Sequence, residues 1–170
     1  MSPGQIAAEN LALLIYTWEW LRAGKTLGQL GIDGQVSRML HQMDRHEISR
    51  AADCHVPLFS FACTPEILKQ ALTSDGLYGV DPRAEIFLAN RWRASARGDS
   101  GLNGLLGISK KMCEVLGVAC FPSLQSAARA GIQVIRFNLR PQYLHHGGRN
   151  LAMQTSHRSQ LAVLNSVCHN

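Results

Sequence analysis

No CxxC pair occurs in this chain, and its five cysteines, Cys54, Cys63, Cys113, Cys120 and Cys168, stand singly. An odd number of isolated cysteines argues against a disulfide framework and favours a reducing, cytoplasmic setting. It also withholds the knuckle that structural zinc sites use. Cys54, His55 and Cys63, or Cys113 and Cys120 with His145 and His146, are the metal candidates. None has zinc-site spacing, so no cofactor is expected in this chain. No run approaches the ~18 uncharged apolar residues of a membrane span. The opening residues, MSPGQIAAEN, lack the basic-then-apolar pattern of a secretory signal. Neither a nucleophile elbow, a phosphate loop nor an HExxH pair is present, and the expectation is a protein that is not an enzyme. Acids are scarce, 12 against 17 Lys/Arg, and most read as helix caps rather than catalysts.

What the chain does contain is itself, twice. Gly28–Phe61 aligns with Gly104–Phe137 at a gapless offset of 76 residues. Leu30-Gly31-Ile32 falls on Leu106-Gly107-Ile108, Leu40 on Leu116, Ala51-Ala52 on Ala127-Ala128, and Phe61 on Phe137. Pro65 falls on Pro141 and Leu68 on Leu144. Such periodicity changes the whole reading. Two repeats are expected, at 6–76 and 81–144, with a C-terminal extension at 145–170. Each repeat alone is marginal in size and gains from packing on the other.

The periodicity and caps predict the elements. Residues 1–5 read as a disordered lead. Ile6, Leu11, Leu14, Ile15, Trp18 and Leu21 predict a long helix to about Ala23, ended by Gly24. Thr26 caps a short turn. Asp33 caps a helix to Gln42, and Asp44, with Glu47 in capping-box spacing, caps the next. Val56–Phe61 is a strand. Thr64-Pro65-Glu66 opens a helix ending before Gly76. The second copy repeats this: a helix from Pro82 to about Arg97, a loop at 97–101, helices at 110–116 (closed by Gly117) and 123–130, and a strand at 132–139. Pro141 opens a short helix. HHGGRN beyond Leu144 reads as a turn or linker, and residues 151–166 carry only a weak helical pattern. The expected fold is mainly α: two tandem repeats of short helices, each with one short β-strand, forming a pseudo-twofold intramolecular dimer.

Leu116-Gly117, Phe121-Pro122, Leu124, Ala127-Ala128, the strand Ile132–Ile135 and Arg136-Phe137 together resemble the flagellar transcriptional regulator FlhD. The Leu-Gly-Ile steps and Phe59–Phe61 fit the same family. The resemblance covers residues 6–70 and 82–144, once each. It implies a bacterial regulator subunit that acts with an FlhC-like partner, any zinc belonging to that partner, and reaches double-stranded DNA through the complex. It also admits a homo-oligomer. The family is single-repeat, so this chain reads as a fused dimer. The first copy departs further, with His41 after Leu40 and Arg45-His46 where the second has Phe121-Pro122.

Charge divides unevenly along the chain. Residues 1–76 carry six Lys/Arg against eight Asp/Glu, and residues 77–170 eleven against four. The second half therefore suits a polyanion. Lys110 and Lys111 sit in the first turn of a helix, where the dipole disfavours cations and a phosphate would offset the cost. Arg129, the pair Arg93 and Arg97 on one helix face, and Arg136 and Arg140 about the strand complete the DNA-contact candidates. Arg91 lies off that face. Tyr16, Trp18 and Trp20 spread round the first helix more widely than one core face needs, and are the partner-binding candidates. The favoured function is a transcriptional regulator subunit. The alternatives are an interaction or anti-activator module without DNA contact, and an autonomous helix-turn-helix regulator built on 109–117 and 122–130. The last has few base-reading side chains, only Ser123, Gln125, Ser126 and Arg129.

Overall fold

The computed structural model describes residues 1–75 and 78–166, which form eleven helices and two short strands. Gly76 and Leu77, in the expected joint, and Cys168 lie outside them. The chain is mainly α-helical with one two-stranded sheet. No described helix is long and apolar enough to cross a membrane.

Helix α1 is Pro3–Arg22, three residues earlier than its apolar stripe suggests. The expected disordered lead is instead its first turn. Ser2 and Gln5 form a reciprocal capping box, and Pro3 occupies a position that needs no N–H. Caps also place α2 (Leu27–Leu30), α3 (Gly34–Gln42) and α4 (Arg45–Ala52), behind Thr26, Asp33 and Asp44. Strand β1 is only Phe59–Phe61. The expected start at Val56 fails because the buried Asn10 amide donates to Val56 O at 2.9 Å and accepts from Leu58 N at 2.9 Å. Those groups are spent before a strand can use them.

Thr64 caps α5 (Pro65–Leu72), and Asp81 caps α6 (Pro82–Ser95). The expected loop at 97–101 is shorter, because Asp99 caps α7 (Ser100–Leu105). Helix α8 is Lys110–Gly117. Gly117 lies within it and is absent from the positive-φ glycines, so it does not close the helix as expected. Helix α9, Phe121–Ala128, starts two residues early, and Gly131 follows at φ +69°. Strand β2 is Ile135–Phe137, as short as its partner. Helix α10 runs Pro141–Arg149, so the expected HHGGRN linker is helical, and α11 is Thr155–Leu164.

Two compact units result. One is Ser2–Phe59 with Arg136–Asn170, and the other is Ser60–Ile135 with Met1. In the first unit, α1 and α10 each pack on α3 and α4, and α11 packs on α10. Leu13, Leu14, Leu40, Ile48 and Tyr143 are fully buried there. Tyr143 donates its hydroxyl to Ala51 O at 2.6 Å, so its burial leaves no polar group unmet. In the second unit, α5 and α6 each pack on α8 and α9. Phe87, Leu88, Leu116 and Leu124 form its centre, each contributing roughly 1.5–3 kcal/mol by burial. The sheet runs antiparallel, Ala62 donating to Val134 in one unit and Asn138 to Leu58 in the other.

Candidate nucleic-acid interface

Five of the seven candidate DNA contacts, Arg93, Arg97, Lys110, Lys111 and Arg129, belong to the Ser60–Ile135 unit, and all five are exposed. Arg136 and Arg140 belong to the other unit. Arg136 is half-buried in the middle of β2, and Arg140 is exposed at the start of α10.

Ser109 caps α8 through its hydroxyl, which accepts from Met112 N at 3.2 Å. Lys110 and Lys111 follow in a first turn that holds no acid. Two cations at the positive end of a helix oppose its dipole, and an anion would relieve them. Arg129 sits at the C-terminal end of α9 and Arg93 in the last turn of α6. There the dipole favours cations, so both positions are explained without a ligand.

The nearby arginines sort differently. Arg91 is fully buried with its guanidinium 4.3 Å over the Phe87 ring. Arg83 is equally buried and paired with Asp81 at 2.9 Å. Sequence spacing sets Arg91 off the face of Arg93 and Arg97, but it cannot say which face is buried, because that depends on the side from which other elements pack.

Lys111 also lines an open groove between α5 and α8, about 410 Å³, with Pro65, Glu66, Lys69, Glu114, Val115 and Val118. The Glu66 carboxyl lies below its usual range, held first by its own backbone N–H, then by the Thr64 hydroxyl, and more weakly by Lys111. This groove has no signal in the sequence, since its two walls come from helices far apart along the chain.

The α8–α9 pair offers little for base reading. Ser123 accepts from Cys120 N at 3.0 Å and donates to Cys120 O at 2.8 Å. Gln125 donates to Glu85 at 3.0 Å. Their hydrogen-bonding capacity is largely used inside the unit.

The aromatic candidates on α1, Tyr16, Trp18 and Trp20, are all half-buried. Trp18 donates to Met43 O at 3.2 Å and carries Arg22 at 4.4 Å over its ring. Trp20 carries Lys25 at 5.4 Å. Cations of the same chain thus cover one ring face of each tryptophan.

The cysteines divide by burial. Cys54 is buried, donates to Val56 O at 3.3 Å, and has its thiol pushed up chiefly by that burial. Burial also pushes Cys63 up to about 11. Cys120 is exposed at the start of α9, where hydrogen bonds with Ser123 lower its thiol. His145 and His146 meet edge to face at 4.9 Å. Among the described residues, no group of three or more His, Cys, Asp or Glu is placed to hold a metal ion.

No protein-family model, curated protein or solved structure matches this chain.

Proposed function

We propose that this chain is a non-enzymatic, cytoplasmic regulator subunit of the FlhD type. It positions a DNA-contacting, FlhC-like partner and adds phosphate contacts through Lys110 and Arg129, together with Arg93 and Arg97. The observation that carries the reading is the order of elements at the 76-residue offset. Arg45–Ala52 falls on Phe121–Ala128, and Phe59–Phe61 on Ile135–Phe137, residue for residue. The helices opened by Pro65 and Pro141 correspond too. Packing follows one plan in both units, but each unit takes its fifth helix from the other repeat: α10 joins α1, α3 and α4, while α5 joins α6, α8 and α9. An exchanged helix is what a fused dimer would keep. It supports the duplicated, pseudo-twofold reading that the resemblance to FlhD implies.

An electrophoretic shift with DNA from upstream of the chain's own gene tests this, with and without an FlhC-like protein. Binding is expected only with the partner. Lys110→Ala with Arg129→Ala should weaken it roughly tenfold or more at moderate salt, and should flatten its salt dependence by about 0.9 for each phosphate no longer neutralised. Tight, sequence-specific binding by this chain alone sinks the subunit reading, and unchanged binding by the double variant sinks the surface.

A second reading, an interaction module without DNA contact, draws on Val118 and Phe121, which are 82% and 45% exposed. Partner binding with no shift in the same assay selects it.

A further inference from the structure

We propose that the α5–α8 groove is a self-association surface, which a second copy of this chain occupies with the same groove. Its apolar lining is Pro65 from α5, with Val115 from α8 and Val118 just past the C-terminal end of α8. Val118 is 82% exposed, the most exposed large apolar side chain of the described residues, and Phe121, three residues on, is 45% exposed. Scattered apolar residues are ordinary on a surface, but a lined groove adjoining two of them is a contact site in shape.

Charge selects the occupant. The rim carries Glu66 and Lys69 on α5, and Lys111 and Glu114 on α8. The acid comes first on one helix and the base first on the other. A twofold contact sets one patch against its own copy, so a patch of single sign would repel itself. This rim has two charges of each sign and no net charge, and it can meet its copy with acids opposite bases. DNA is a poor occupant, because Glu66 and Glu114 would face phosphate. The proposal therefore moves Lys111 from the phosphate-contact set to the dimer surface, and leaves Lys110 and Arg129 for DNA.

The other repeat does not preserve this surface. At the 76-residue offset the four rim charges become Gln142, His145, Gln35 and Arg38, with no acid among them, and Val118 becomes Gln42. That comparison rests on the duplication proposed above, whereas the mixed-sign rim stands without it.

Sedimentation velocity of the full chain tests the proposal, with three variants. The wild type should form a dimer within a concentration range up to about 100 μM, ample for an interface of standard size. Val118→Arg should be monomeric. A variant with Glu66→Lys and Glu114→Lys, and another with Lys69→Glu and Lys111→Glu, should each be monomeric alone and dimerise when mixed. Restoration on mixing cannot come from misfolded chains. A monomeric wild type, a dimer indifferent to the substitutions, or loss without restoration on mixing overturns the proposal. The DNA reading is judged separately, by Lys110→Ala with Arg129→Ala, which should keep the dimer.

Discussion

Asp53 ends α4 and Arg129 ends α9, with opposite charge, and the structure gives the acid a reason. Asp53 accepts from Thr155 Oγ1 at 2.7 Å and pairs with Arg158 Nη1 at 3.0 Å. Arg158 is 5% exposed and also donates to Gly147 O at 3.1 Å. A buried guanidinium needs such partners, since stripping it of water costs several kcal/mol. Arg158→Met should remove charged donors from two acceptors, costing about 1–3 kcal/mol and lowering the melting temperature by several degrees. Thermal unfolding followed by circular dichroism checks it. Asp44 makes a pH prediction. The Glu47 backbone N–H, 2.8 Å from its carboxylate, is the main cause holding the Asp44 carboxyl below its ordinary value. A depressed acid stabilises the fold above its unfolded pKa and loses that contribution as pH falls through the folded value. Asp44→Asn should therefore be less stable than wild type at neutral pH, with the gap closing below about pH 4. Denaturant titrations at neutral pH and in acid measure the gap.

Caps were legible at the scale of the element, because they act through side chains only two or three residues away. Thr26, Asp33, Asp44 and Thr64 all cap the helices their spacing predicts. The end of α10 was not legible, because its glycines answer to α4 rather than to the local chain. A Cβ on Gly148 would lie 2.4 Å from Met43 Cε and 2.9 Å from Glu47 O. The last carbonyls of a helix lack partners within it. Here Arg50 donates to Gly148 O at 2.7 Å, and Arg158 serves Gly147. A Gly-Gly pair thus stays helical, against its propensity, because long-range donors and close packing hold it. Gly148→Ala should destabilise by roughly 1–3 kcal/mol through overpacking. Gly147→Ala, whose Cβ would approach nothing nearer than the Tyr143 ring at 3.4 Å, should be neutral or gain up to about 1 kcal/mol in helix propensity. Comparing the midpoints of urea unfolding separates the two.

The whole molecule redistributes what the chain lays out in order. By sequence, residues 1–76 have a net charge of −2 and residues 77–170 of +7. By unit, Ser60–Ile135 holds eight Lys/Arg against six Asp/Glu, and the other unit nine against six. The net charges are then +2 and +3, so any DNA preference must come from where cations are exposed, not from one basic half. The cause is the division of the chain between units, which gives α5 to one and α10 with α11 to the other. Residues 1–75 alone should accordingly fold poorly, since their unit lacks α10. Mixing them with residues 78–170 should recover cooperative unfolding, and two independent fragments that never associate would contradict this.

The sequence by itself determined the helical class, most helix starts, and the strand positions to within a few residues. These depend on neighbours within a few residues. Tertiary structure alone decided that α5 joins one unit and α10 the other, that Arg91 is buried while Arg93 is exposed, that Gly147-Gly148 is helix, and that Lys111 lines a groove. Each of those depends on which surface meets another far along the chain, and local periodicity carries no record of that choice.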